Sequence, residues 1–190
     1  VVQPGVEFSD TDIREYRRDE ARSLSAFIES DPLLVYEAHS TDYQRGEILS
    51  RVVEDHFAIL KVGPWLTFAM REALFALARI EEEWLGGRDV RLSRLMDTAE
   101  EIMTAHPQHW VNHYHGTEEE KAFKRKYSYS DRIRYYWPRK ELAAAVDTLM
   151  SNLTDRPAPL SLLSQYLPEQ YHAVREGIIE PVPADIIDHK

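Results

Sequence analysis

The stretch VYEAHSTDYQ, residues 35–44, runs from apolar residues directly into His39, Ser40, Thr41 and Asp42. An imidazole, two hydroxyls and a carboxylate in succession can ligate a metal, donate to a phosphate and take a proton. Two other stretches share the arrangement. VVQPGVEF ends at Glu7, with Ser9 and Asp10 following, and HFAILKVGPWLT leads into Lys61, Gly63, Pro64 and Thr67. In parallel α/β folds the reactive groups gather at the C-terminal ends of strands, so these three loops define one expected rim. Glu7 and His39 fall at equivalent positions of neighbouring strands, and such a pair suits a divalent ion such as Zn²⁺ or Mn²⁺. Two ligands do not specify a site, and a capping glutamate beside a hydrogen-bonded histidine is the alternative these residues leave open. Ser40, Thr41, Gly63 and Thr67 can offer hydroxyl and amide donors to a phosphate at a helix N-terminus; helix capping uses the same donors.

Two more clusters stand apart from this rim. His106, His109, His113 and His115 lie in HPQHWVNHYHG, with His109 and His113 four apart. That spacing can pass for a metal pair, but no carboxylate occupies a ligand position, and a surface helix with scattered histidines is the better reading. RKYSYSDRIRYYWP, residues 125–138, sets Arg132 and Arg134 among tyrosines around Asp131, as an anion-binding or interface segment would. A helix start capped by Ser130 or Asp131 explains it equally well. No Walker loop, GxGxxG, GxSxG or HExxH motif is present, which argues against a kinase.

The elements that must position these groups follow from apolar periodicity. Val1, Val2 and Val6 predict a first strand, Leu33–Ala38 a second and Phe57–Val62 a third. A charged helix follows the first, with Asp12 as its expected cap and Ala21, Leu24, Phe27 and Ile28 on its apolar face. A shorter helix carrying Ile48, Leu49, Val52 and Val53 follows the second. A long one carrying Leu66, Met70, Leu74, Leu77 and Ile80 follows the third and ends at Gly86-Gly87. Strand, loop and helix in three successive rounds imply parallel strands with helical crossovers. Residues 1–87 therefore form one expected region. Residues 88–190 read as helices alone, one around Leu95–Met103 and another around Leu142–Leu153, before a Pro-rich tail.

The chain has 190 residues, 43% hydrophobic and 29% charged, with a net charge of −10. That charge disfavours nucleic acid or an anionic membrane as the main partner. The absence of cysteine excludes disulfides and thiol chemistry and fits a reducing cytoplasm. No run is long and apolar enough to span a bilayer, and no secretory signal is evident. The first residue is not Met, and the opening reads as a strand entering a loop, as when a leading segment has been removed or the numbering starts inside a longer polypeptide.

Taken together, VVQPGVEF, VYEAHSTDYQ, HFAILKVGPWLTFAMREALFAL, YSYSDRIRYYWP and LLSQYLPEQY resemble the GatZ/KbaZ family, accessory subunits of class II D-tagatose-1,6-bisphosphate aldolase. The resemblance implies a (β/α)₈ TIM barrel, to which this chain gives the last three βα units plus a C-terminal helical extension packing on the barrel. It also implies a divalent metal, Zn or Mn, at Glu7 and His39, with the other ligands outside this sequence. Ser40, Thr41, Lys61, Gly63 and Thr67 would then face substrate or phosphate, and Asp42 would orient a substrate hydroxyl or act as a base. Two departures accompany it: Glu stands where related aldolases have a metal histidine, and Ser40-Thr41-Asp42 replaces a glycine-rich loop. The implied role is carbohydrate catabolism, as a subunit that supports a catalytic aldolase. The alternative is a stand-alone metal-dependent epimerase interconverting D-tagatose 6-phosphate and fructose 6-phosphate through retro-aldol cleavage. Expected partners are D-tagatose 6-phosphate or 1,6-bisphosphate, and a catalytic aldolase subunit or a further copy of the chain.

Overall fold

The computed structural model describes all of residues 1–190. Nine α-helices and two 3₁₀ turns accompany four strands of two residues each: β1 (Glu7–Phe8), β2 (Ile13–Arg14), β3 (Glu37–Ala38) and β4 (Ile59–Leu60). β1 pairs antiparallel with β2, and β3 pairs parallel with β4. Val2 is bridged in parallel to Ala38.

This corrects the expected (β/α)₈ barrel. The protein is mostly helical, and its two small sheets remain open. Closing a barrel takes about eight strands, far more than these short segments supply. The breaks have local causes. Pro4 and Gly5, the latter at φ 89°, split the first apolar stretch, so Glu7–Phe8 leaves the parallel set and pairs with Ile13–Arg14 instead. Asp12 serves that turn and not a helix: its amide donates to Ser9 Oγ at 3.0 Å, and its carbonyl accepts the Ser9 amide at 2.8 Å. Leu33, Leu34 and Val35, expected within the second strand, are 91%, 56% and 65% exposed. The Asp31 carboxylate accepts the Leu33 amide at 2.9 Å, a local turn that competes with extension. An apolar run becomes a strand only where a neighbouring strand and a covering layer receive it.

The chain divides into two compact units. Unit 1 comprises Val1–Leu66 with Tyr127–Ser130, and unit 2 comprises Thr67–Lys126 with Asp131–Lys190.

In unit 1, α1 (Arg18–Ile28) and α2 (Gly46–Glu54) enclose a small core of Val6, Tyr16, Ala21, Ala38, Ile48, Val52 and Phe57. The acidic residues Asp19 and Glu20 sit in the first turn of α1, where the helix dipole favours them. Tyr16 carries the one polar atom pointed from this core toward a charge: its hydroxyl donates to Asp55 Oδ2 at 2.8 Å, and Arg18 Nε donates to the same oxygen at 2.8 Å. Burial, and then the bond to the Asp55 carboxylate, push the Tyr16 phenol well above its ordinary 10.0. Its contribution is therefore complete below pH 10.0 and declines as the pH rises above it, because the unfolded chain releases a proton that the folded one keeps. We expect Tyr16→Phe to cost about 2 kcal/mol at neutral pH, since the bond is to a charged acceptor, and to make the alkaline decline shallower. Urea unfolding at a series of pH values checks both; an unchanged alkaline slope would contradict the assignment.

Unit 2 takes most of α3 (Trp65–Leu85) and α5 (Glu118–Tyr127), with α4 (Leu95–Ala105), α6 (Lys140–Asp155), α7 (Leu160–Tyr166), α8 (Pro168–Arg175) and α9 (Pro183–His189). α4 packs on α6, α7 on α8 and α6 on α9 around one continuous core. The periodic residues do what their spacing predicts: Leu95, Met96, Ala99, Ile102 and Met103 are the buried face of α4, and Leu142, Leu149 and Leu153 lie on that of α6. α5 has a polar sequence, and its start is set by a capping box. The Thr117 amide donates to Glu120 Oε2 at 2.7 Å while the Glu120 amide donates to Thr117 Oγ1 at 3.2 Å. Buried Glu81 on α3 accepts the Ser93 amide at 3.1 Å and Asn152 Nδ2 at 2.6 Å, tying α3 to the start of α4 and to α6. The histidine-rich stretch is no surface helix. It forms a 3₁₀ turn at Pro107–His109 and further turns, because Trp110 and Tyr114 bury their rings and Trp110 Nε1 donates to Met103 O at 2.6 Å.

Candidate functional site

The polar run after β3 folds into the loop leading to α2, and the structure shows what each of its side chains touches. Thr41 is buried; its amide and its Oγ1 both donate to Lys61 O, at 3.1 Å each. Buried Asp42 accepts the Gly63 amide at 2.8 and 3.0 Å and the Trp65 amide at 3.0 Å. Those amides precede and open α3, so the carboxylate caps that helix from a distance in sequence that no local motif reveals. Gln44 is likewise buried: Oε1 accepts the Tyr16 amide and Nε2 donates to Arg14 O, both at 3.1 Å. The groups left facing outward are His39, Ser40 and Lys61. His39 Nδ1 lies 2.8 Å from Ser40 Oγ, and Lys61 Nζ is 3.4 Å from Glu37.

Unit 1 thus contains Glu7, His39, Ser40, Thr41, Asp42, Lys61 and Gly63, whereas Thr67, Arg132 and Arg134 belong to unit 2. Thr67 Oγ1 donates to Asp131 Oδ2 at 2.8 Å. Asp131 opens the 3₁₀ turn Arg132–Tyr135 with its backbone at φ 45°, but its carboxylate serves Thr67 and Arg71 and caps nothing. Arg132 Nη1 donates to His109 O at 2.9 Å, and Arg134 lies over the Tyr135 ring, 4.5 Å from its centroid.

The expectation of a Zn or Mn site is corrected. No group of three or more His, Asp or Glu side chains is placed to hold an ion, and the chain has no Cys. Glu7 sits in the β1–β2 hairpin opposite Arg14, and it is Val2 that pairs with the strand preceding His39. The Pro4-Gly5 break therefore removes the equivalence of Glu7 and His39 on which the pair rested. Glu7 instead lines a cavity of about 250 Å³ with Phe8, Ser9, Asp12 and Arg14.

Aromatic packing and a segment distant in sequence also shape this face. Tyr43, at φ 62°, packs edge-on against Phe8 at 5.2 Å and lies 5.8 Å from the Trp65 ring. Asp10 and Tyr43 are both held by the segment Tyr127–Ser130 of the same unit. The repeated Ser-Tyr of YSYS was the available signal, but nothing in it names a partner so far away in sequence.

A two-unit, mostly helical chain with its outward polar groups on strand-end loops is the class of protein these features define. The family model described as D-tagatose-1,6-bisphosphate aldolase subunit GatZ/KbaZ-like matches residues 1–190, and the chain belongs to that family. It is also similar to a solved structure from Sinorhizobium meliloti 1021, described as a probable tagatose 6 phosphate kinase. The two share 44% identity with a TM-score of 0.89, over 99% of this chain and 49% of that one. The chain thus spans about half the length of that relative. The description of this relative overturns the expectation against a kinase. Missing Walker and glycine-rich motifs carry little weight, because helix N-termini and isolated amides can also cradle phosphate. No helix is long and apolar enough to cross a membrane.

Proposed function

We infer that the chain works in tagatose phosphate metabolism as a supporting subunit of D-tagatose-1,6-bisphosphate aldolase, stabilising a separate catalytic subunit. The observation that carries this reading is the match of the aldolase-subunit family model to residues 1–190. The hydrogen bonding of the loops supports it. Thr41, Asp42, Gly63 and Thr67 spend donors or acceptors inside the fold, leaving His39, Ser40 and Lys61 outward. Such a set suits recognition of an anionic sugar better than a complete reaction centre. The ligands on this reading are D-tagatose 6-phosphate or 1,6-bisphosphate, and the macromolecular partner is a catalytic aldolase subunit.

A second reading, phosphoryl transfer to tagatose 6-phosphate, is favoured by the description of the Sinorhizobium relative. One set of assays separates the two. The purified protein is incubated with tagatose 1,6-bisphosphate, with and without a catalytic class II aldolase subunit, and triose phosphate release is followed. A parallel sample receives ATP and tagatose 6-phosphate. The expected result is co-elution with the aldolase subunit and cleavage that is faster, and survives heating longer, when both proteins are present. Formation of the bisphosphate at the expense of ATP by this protein alone would establish the second reading. Conversion of tagatose 6-phosphate to fructose 6-phosphate by this protein alone would defeat both.

A further inference from the structure

Residues Tyr127–Ser130 belong to unit 1 although the chain on either side of them belongs to unit 2. Within unit 1 they lie as a short strap over two loops. The Tyr129 amide donates to Asp10 O at 3.0 Å, and Ser128 Oγ donates to Asp10 Oδ1 at 2.8 Å. Tyr43 Oη donates to Tyr129 O at 2.6 Å, with the two rings 4.7 Å apart. Ser128 is 1% exposed and also accepts the Ser130 amide at 3.0 Å, so the strap has an internal turn of its own. It grips one residue from the loop after β1 and one from the loop after β3.

The second loop has a reason to need gripping. Ser40 and Tyr43 both occupy the left-handed region, at φ 60° and 62°. A bulky aromatic residue rarely adopts that conformation and keeps it only where its surroundings enforce it. Thr41 and Asp42, between them, are pinned to Lys61 and Gly63. Tyr43 is held through its side chain, by the ring contacts and by its hydroxyl on the strap. The strained loop ends on the outward groups His39 and Ser40, beside Lys61, whose carbonyl receives the Thr41 amide. Lys61 Nζ rests 3.4 Å from Glu37 and His39 Nδ1 2.8 Å from Ser40 Oγ; an ammonium, a hydroxyl and an imidazole on adjoining strand ends suit a phosphate dianion that takes the ammonium over from Glu37.

We propose that Tyr127–Ser130 is a latch, that Asp10 and Tyr43 are positioning residues gripped by it, and that the latched loop presents His39, Ser40 and Lys61 to a phosphorylated ketose. The ligand rests on the reading that the protein handles tagatose phosphates; the latch rests on geometry alone. Tyr43→Phe keeps the ring and removes the bond to Tyr129. Asp10→Ala removes the acceptor for Ser128, and Asp10→Asn restores one. Hydrogen exchange of amides 39–44 and calorimetric binding of D-tagatose 6-phosphate and of inorganic phosphate are measured on the purified protein and each variant. In Tyr43→Phe and Asp10→Ala, amides 39–44 are expected to exchange about tenfold faster, with α1 unchanged, and ketose phosphate affinity to fall about five- to tenfold. Asp10→Asn should return both toward the parent values, which general destabilisation would not do. Unchanged exchange at 39–44 would overturn the latch, and faster exchange with undiminished affinity would overturn its positioning role. A parent protein that binds neither ketose phosphate nor phosphate would defeat the functional reading, while the exchange data would still decide the latch.

Discussion

Replacing Asp131 by alanine should destabilise the protein by about 3–5 kcal/mol, the usual cost of removing one partner of a buried ion pair. Asp131 and Arg71 are 0% and 3% exposed at their side chains and meet at 2.8 Å. The guanidinium stacks 4.3 Å from the Phe68 ring centroid, and its Nη2 is buried without a hydrogen-bond partner. Without the carboxylate, a largely desolvated cation would keep the Phe68 and Phe75 rings but no anion, and Thr67 Oγ1 would lose its acceptor. The backbone adds to the loss, because φ is 45° at this position and alanine tolerates the left-handed region less well than aspartate or asparagine. Asp131→Asn keeps the shape, an acceptor for Thr67 and the tolerance for that φ, so it should fall between the parent and Asp131→Ala. Adding Arg71→Met to Asp131→Asn should recover part of the loss, since a buried pair replaced by matching apolar volume often costs little. Urea unfolding followed by circular dichroism measures the series. A loss under about 1 kcal/mol for Asp131→Ala would mean that the pair is solvated, as exposed pairs are.

How much of this was legible beforehand depended on how local each cause is. The long helix α3 could be read from its apolar spacing and from Gly86-Gly87 just beyond its last residue, and α4 and α6 from the same periodicity. A helix satisfies its own backbone, so its signal lies within its own residues. Strands do not. Leu33–Val35 have a strand's composition and lie exposed and unpaired, because pairing depends on what arrives from elsewhere in the chain. Pro4 and Gly5 were visible as an interruption, but their effect, turning Glu7 into a hairpin and away from the parallel set, concerned direction and not propensity. The His106–His115 stretch departs from its periodicity for a related reason: its spacing suits a helix, while burying Trp110 and Tyr114 decides for turns. In the candidate site, residue types were legible and their engagements were not. Sequence alone cannot tell a carboxylate that works on a substrate from one that holds Gly63 and Trp65, and the grip of Ser128 on Asp10 spans most of the chain.

Asp42 is where that ambiguity can be resolved by measurement. Asp42→Ala is expected to cost about 2–3 kcal/mol, because it removes a helix cap and leaves two amides, those of Gly63 and Trp65, without their buried acceptor. Asp42→Asn should cost less than alanine, about 1–2 kcal/mol: an amide oxygen at the Oδ1 position can still accept from both, while the NH2 at the Oδ2 position turns a donor toward the Gly63 amide. The loss in the alanine variant should also be local, with hydrogen exchange rising first at the opening turn of α3 and in the loop from Ser40 to Gln44. Equal destabilisation by asparagine and alanine would show that the negative charge itself, and not the acceptor geometry, holds α3. If the carboxylate is a cap, asparagine should also leave the cleavage assay with the aldolase subunit near its parent value. A variant that folds like the parent yet fails that assay would give Asp42 a chemical task beyond the cap, which its hydrogen bonds to Gly63 and Trp65 do not require.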